Sequence, residues 1–299
     1  MFRNFYEIEQ LLLAKGIKRK IALCGAHDES ALRALVKARQ KGLAEGMLIG
    51  DESAIIGLLS SLGETVLDYE IVNETRDNKA ARIALDFVHS GAADIPMKGL
   101  VQSISFILAV INPTFELMPK DAAPCAVTVF YYPPVDRLMF VTDCAINVSP
   151  SLEDKARMIR NTVPLVRAFG QNTVNIAVVS VLETVNPEIV SSVDADALAK
   201  MEWPEGIVVE GPFGLDNALD EVAAKHKGII SSVAGKADLL IMPDLCAGNI
   251  FHKTMHFFGN VPTAGVMCGP TSPVVFNSRT DSPETKYNSI LTAIMQSCN

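Results

Sequence analysis

The chain has 299 residues, 26 Lys and Arg against 34 Asp and Glu, a formal net charge of −8 and 49% hydrophobic residues. That is enough chain for one large or two medium domains, and it is too apolar for disorder. The acidic balance excludes nucleic acid as the main partner, because a phosphate backbone needs clustered Lys and Arg; a small polyanion would need a local basic site.

In chain order, Lys20–Ala26 reads as a short buried strand ending near Gly25, and Glu45–Gly50 as another. Asp77–Ser90 carries apolar residues at helical spacing and stops at Gly91. The longest unbroken apolar run, Phe106–Ile111, is six residues, against roughly 20 for a bilayer span, so no membrane association is expected. Ala126–Tyr131 and Leu138–Thr142 flank the turn at Pro133–Pro134 and read as neighbouring strands. Asp143–Pro150 is polar and turn-rich and separates two stretches of alternating strands and helices. Ser151–Phe169 is a helix with Ser151 at its cap, Asp154 three residues on and Gly170 at its end. Strands follow at Val174–Val181, Ile207–Glu210, Asp238–Met242 and Val274–Asn277. The alternation predicts an α/β fold with largely parallel sheets in two lobes, whose cleft is a favoured place for a ligand. Six cysteines lie scattered with no C-x-x-C pair, which reads as reduced thiols in a cytoplasmic protein.

There is no G-x-G-x-x-G and no G-x-S-x-G, and Gly235-Lys236 is followed by Ala237, so no P-loop. His252 and His256 lie four apart, but the position after His252 is Lys253, where a zinc hydrolase needs Glu. The pair reads as two positions of an amphipathic helix, and no metal is expected.

The C-terminal segment carries the most chemistry. After the strand come Ser278, Arg279, Thr280 and Asp281, and then Ser282-Pro283, a strong helix start. The loop thus joins a strand's carboxyl end to a helix N-terminus, where open α/β sheets bind anions. Arg279 adds a bidentate donor for phosphate. The local pattern equally fits a turn capped by Ser278 and Asp281, with Arg279 on a surface carboxylate. Loops of similar form lie at Gly211–Asn217, at Val233–Asp238 and at Pro243–Asn249, the last leading into a helix with Lys253. So many loops of this kind exceed what turns alone require.

Together these motifs resemble the phosphate acetyltransferase and phosphate butyryltransferase family, most closely its butyryl branch. The resemblance rests on Met97-Lys-Gly-Leu100, Phe140-Val-Thr-Asp-Cys-Ala145, Glu210-Gly-Pro-Phe-Gly-Leu-Asp-Asn-Ala218 and Ala224-Lys-His-Lys-Gly228. It continues through Val233-Ala-Gly-Lys-Ala-Asp238, Pro243-Asp244 with Ala247-Gly-Asn249 and Lys253, and Ser278-Arg279-x-Asp281-Ser282. It implies reversible transfer of a short acyl group, butyryl or similar, between coenzyme A and inorganic phosphate, with coenzyme A as substrate and no cofactor. It further implies two lobes of the isocitrate/isopropylmalate dehydrogenase type, residues 1–146 with 265–299 and residues 147–264, with the site in the interlobe cleft, and a homodimer or larger homo-oligomer. By this resemblance Ser278 donates to the thiol or oxyanion, Arg279 clamps phosphate and Asp281 is the candidate base. Lys236, Asn249, Lys253 and Asp244 line the coenzyme A and phosphate sites.

The chain departs from the family pattern in places. The acetyl branch's acidic residue, seven positions after the serine, is Thr285 here. A butyryl-branch arginine is replaced by Leu108, a second is missing from Pro113–Pro119, and the usual Gly-Ala-Lys reads Gly269-Pro270-Thr271. Either the substrate differs, or Lys98, Lys120 or Arg137 substitutes, or the chain is a non-catalytic or altered-specificity homologue that binds coenzyme A or an acyl phosphate.

Overall fold

Apolar runs become strands and amphipathic stretches become helices in the computed structural model, which describes residues 1–120 and 122–298. The chain forms two compact units, one of residues 4–124 with 263–299 and one of residues 1–3 with 125–262. The discontinuous unit begins with α1 (Phe5–Ala14), β1 (Arg19–Cys24), α2 (Glu29–Gln40), β2 (Ala44–Gly50) and α3 (Glu52–Ser61). It continues through β3 (Glu70–Asn73), α4 (Asp77–His89), β4 (Ile95–Lys98) and α5 (Ser103–Val110). The strands run parallel in the order β3-β2-β1-β4. Residues 21–24 of β1 are all fully buried, as expected of a parallel strand covered on both faces. β3 and β4 carry no apolar run to mark them; β4 is a strand because it pairs with β1, Ile21 opposite Ile95.

The second unit holds β5 (Cys125–Tyr132), β6 (Arg137–Thr142), α6 (Leu152–Ala168), β7 (Val174–Val179), α7 (Val190–Ala199) and β8 (Ile207–Phe213). α8 (Leu215–Leu219), α9 (Glu221–His226), β9 (Leu239–Ile241) and α10 (Leu245–Phe257) complete it. Its strand order is β5-β6-β9-β7-β8, with β5 and β6 an antiparallel hairpin and the rest parallel. Ser151 and Asp154 form a full capping box at the start of α6. The sequence put the lobe boundary at 146/147; here residues 125–146 group with the second unit, because β6 pairs with β9 in register Phe140 to Leu239.

The chain returns to the first unit with β10 (Thr263–Cys268), β11 (Val274–Val275) and α11 (Pro283–Gln296). β10 has no counterpart in the sequence reading, and the expected strand Val274–Asn277 shortens to two residues. β11 lies antiparallel to β10 and parallel to β4, where Val275 faces Met97. Residues 285–295 of α11 are all buried, so this helix is held on every side within its unit. Two polar ties fasten it: Tyr287 Oη donates to Glu9 at 2.5 Å, and Lys286 Nζ bonds Asp28 at 2.7 Å. No helix among the described residues is long and apolar enough to cross a membrane.

Candidate active site

In the discontinuous unit, the loop between β11 and α11 is built around a buried amide. Asn277 is 4% exposed, and its Nδ2 donates to Asp281 Oδ2 at 3.2 Å and to Ser289 Oγ at 3.0 Å. Asp281 Oδ2 also accepts the Ser278 N–H at 2.9 Å, and the Asp281 N–H returns to the Ser278 carbonyl at 3.2 Å. Ser278 Oγ lies 3.1 Å from Thr280 Oγ1, and Ser282 caps α11 by accepting the Thr285 N–H at 3.1 Å. Asp281 therefore does hold the turn. Arg279 does not behave as a turn residue: it is exposed and has no hydrogen bond or ion pair to any described residue. A guanidinium with five free donors stands beside the positive end of a helix.

The M-K-G-L motif lies next to this loop. Gly99 N–H donates to the Cys24 carbonyl at 2.7 Å and Leu100 N–H to the Gly25 carbonyl at 3.0 Å. A Cβ on Gly99 would sit 2.5 Å from the Gly25 carbonyl oxygen, so only glycine lets the ends of β1 and β4 meet. That closure buries Lys98 to 1% exposure, with Nζ donating to the carbonyls of Gly99 and Asn277, each at 3.4 Å. Burial, aided by the charges of Lys286 and Arg279, pushes the Lys98 ammonium down to about 8. Of the three substitute cations the sequence offered, Arg137 is committed to Asp238 at 2.6 Å and Lys120 is exposed, while Lys98 adjoins Ser278–Asp281.

In the second unit, Asp143 is 2% exposed and accepts from the backbone of Ala126, Ala145, Ile146 and Asn147 and from Asn147 Nδ2. It shapes the turn after β6, and α10 packs directly on it: a Cβ on Gly248 would overlap the Asp143 carbonyl oxygen. Asp244 caps α10 through the Ala247 N–H at 2.9 Å, and Asn249 Nδ2 donates to the Cys144 carbonyl at 3.1 Å. Asn249 and Lys253, four residues apart, share one face of that helix. Lys236 is on a separate loop, exposed, its Nζ 3.7 Å from Glu221. The loop is pinned from two sides. The Glu210 carboxylate accepts from the hydroxyls of Ser231 and Ser232, and Asp238 accepts from Arg137, Gln171 Nε2 at 2.9 Å and the Asn175 N–H at 2.9 Å. Glu210 and Asp143 belong to the family motifs without being singled out by them; the local signal is a carboxylate inside β8 followed by Gly211-Pro212, and one just past the end of β6 followed by Cys144.

His252 Nδ1 lies 3.1 Å from Thr128 Oγ1, and the His256 ring packs edge-on against Phe257. Among the described residues no group of three or more His, Cys, Asp or Glu side chains is gathered as a metal site needs. A cavity of about 770 Å³ opens beside Lys18, Lys20 and Arg39, far in sequence from these motifs. Each of its cations is already paired, with Glu45, Glu70 and Asp68 respectively.

The family described as phosphate acetyl/butaryl transferase matches residues 56–294. The phosphate butyryltransferase of Clostridium acetobutylicum is 39% identical over 302 residues, covering 100% of both chains. The phosphate acetyltransferase of Thermotoga maritima is 34% identical, covering 95% of this chain and 97% of its own. Among solved structures, a branched-chain phosphotransacylase from Enterococcus faecalis V583 superposes with a TM-score of 0.83 at 25% identity, over 93% of this chain and 98% of that one. Nothing in these comparisons favours a non-catalytic homologue. The family match over most of the chain and the full-length relatives agree with the motifs at the ends of β4, β6, β8 and β11: the chain belongs to the phosphate acetyl/butyryl transferase family and is a transferase.

Proposed function

We propose that this chain catalyses reversible transfer of a short acyl group between coenzyme A and inorganic phosphate, with preference for butyryl or a similar chain. The observation that carries the reading is the unpaired Arg279 guanidinium in the Ser278–Asp281 turn, in a chain 39% identical to a phosphate butyryltransferase. In one direction a phosphate oxygen attacks the thioester carbonyl carbon and the coenzyme A thiolate leaves; in the other the thiolate attacks the carbonyl carbon of the acyl phosphate and inorganic phosphate leaves. A free thiol has a pKa of about 8.5, so the thiolate needs a base or a cation near it. Arg279 clamps phosphate bidentately, and Ser278 Oγ donates to the thiol or to the oxyanion. Asp281 is the proposed base, and its bond to the Ser278 N–H fixes the serine in either case. Lys236, Asn249, Lys253 and Asp244 are the proposed contacts for coenzyme A and phosphate.

The same reading takes the two compact units as lobes of the isocitrate/isopropylmalate dehydrogenase type, the first completed by the C-terminal segment. The parallel strands and intervening helices of each unit support it. It takes the protein as a cytoplasmic homodimer or larger homo-oligomer that needs no cofactor; six cysteines of which none is joined in a disulfide support the compartment. The test is to mix purified protein with butyryl-CoA and phosphate and follow thiol release. Steady thiol release, faster with butyryl- than with acetyl-CoA, is expected. Absence of release with every acyl-CoA from acetyl to valeryl overturns the reading.

A further inference from the structure

Lys98 has an environment that a structural lysine rarely has. It is 1% exposed, and its Nζ reaches only two carbonyl oxygens, both at 3.4 Å, beyond the usual range of such bonds. An ammonium carries three donors, and no carboxylate among the described residues pairs with this one. Asp28, whose field supports its charge, is bonded at 2.7 Å to Lys286 and also accepts from Ser30. A buried cation without a counter-ion costs stability. The group sits at the carboxyl ends of the parallel strands β1 and β4, where α/β sheets take ligands. One of its two acceptors is the carbonyl of Asn277, the residue before Ser278.

We propose that Lys98 is the positioning cation of the phosphate site. It holds the Asn277 carbonyl, and with it the turn that presents Ser278 and Arg279, and the bound anion supplies the counter-charge that no side chain provides. The inference rests on the acyl-transfer reading only in taking phosphate as the anion.

The groups that act most strongly on Lys98 are Cys24 at the end of β1, Asp28 before α2, Lys286 on α11 and Arg279 in the loop; Asp281, bonded to Asn277, and Asp77, which acts on Cys24, are the further carboxylates on the adjoining elements. Burial pushes the Cys24 thiol far up, so it stays neutral, and Lys286 is tied to Asp28. Lys98, pushed down to about 8, changes charge in mildly alkaline solution. Below that value its charge is present and attracts an anion; above it the charge is lost. Phosphate affinity should therefore fall as pH rises through about 8, and a bound anion should hold the proton on.

The experiment is calorimetric titration of the wild type, Lys98→Met and Lys98→Arg with inorganic phosphate between about pH 7 and 9.5, spanning the lysine range. Sulfate, whose charge is constant there, is the parallel probe, and the KM for phosphate and kcat are measured alongside. In the wild type, sulfate affinity should decline through pH 8. Lys98→Met should bind both anions about 10- to 100-fold more weakly at pH 7, the range for a lost charged hydrogen bond. Its KM for phosphate should rise by a similar factor while its thermal midpoint is no lower than that of the wild type. Lys98→Arg, charged throughout, should keep binding and lose the pH dependence. Sulfate affinity flat across pH 8 in the wild type, or Lys98→Met binding within about twofold of it, overturns the inference; the first criterion holds even if a variant fails to fold. If acyl transfer proceeds with an unchanged KM for phosphate in Lys98→Met, the role of Lys98 falls and the activity stands. If anion binding behaves as expected and no acyl transfer occurs, the activity falls and the role of Lys98 in anion binding stands.

Discussion

Arg279 and Asp281 are two residues apart and sit in opposite surroundings. Arg279 is exposed and unpaired; Asp281 is 4% exposed and holds the Ser278 backbone. Removing each should separate function from stability. Arg279→Ala removes an exposed side chain with no hydrogen-bond or ion-pair partner among the described residues, so its thermal midpoint should stay within about 1 °C of the wild type. Its kcat/KM for phosphate should fall by about 100-fold, the size of a lost charge-assisted pair. Steady-state kinetics beside a thermal melt checks this, and equal losses in both would assign Arg279 to structure. Asp281→Ala leaves the buried Asn277 amide and the Ser278 N–H short of an acceptor, so it should lose about 1–3 kcal/mol of stability as well as activity, read by urea unfolding.

At the scale of elements, the site loops depend on backbone approaches that admit only glycine. Gly235 has φ +71°, and a Cβ there would overlap the backbone nitrogen at the start of α9. Gly235→Ala should therefore displace the loop that carries Lys236. A loss of about 1–3 kcal/mol with a raised KM for coenzyme A is expected, from urea unfolding and initial rates. Ser151 offers the contrast, since it caps α6 within the same unit through a backbone bond to Asp154 at 3.2 Å. Ser151→Ala should lose about 1 kcal/mol and leave both KM values unchanged.

For the molecule as a whole, several carboxylates of the discontinuous unit are more acidic than usual. Burial alone would raise Asp28, but its bonds to Lys286 and Ser30 outweigh burial and hold it low. Burial opposes the shift at Glu9 and Glu64 too, and Lys41 with Tyr287, and Tyr69 with Gln40 and Arg39, hold these low. A carboxylate whose folded pKa is depressed adds stability above its unfolded pKa, and that stability is lost as pH falls through the folded value. The urea midpoint should therefore be level near neutrality and drop as pH falls below about 4. Asp28→Asn leaves Lys286, 1% exposed, without its partner, so a loss of about 3–5 kcal/mol at pH 7 is expected. An unchanged urea midpoint in that variant would mean the pair is not a tie between α11 and the loop before α2.

By itself the sequence determined the α/β alternation, the ends of α6, the helix start at Ser282-Pro283 and the motif residues, because periodicity, caps and turns are written in neighbouring residues. It also placed Ser278, Arg279 and Asp281 correctly between a strand and a helix. It could not choose between a capped turn and a free arginine, since both use the same residues; the turn closes on Asp281 and leaves Arg279 open because Asn277 and Ser289, 12 residues apart, meet inside. β4 and β10 escaped because their strand character comes from pairing with distant partners, and the grouping of residues 125–146 with the second unit comes from the pairing of β6 with β9. Lys98 shows the division most clearly. Its presence in M-K-G-L is plain in the sequence, yet only the tertiary structure buries its ammonium against the carbonyls of Gly99 and Asn277 with no carboxylate among the described residues paired to it, because Asn277 is brought to it from 179 residues away.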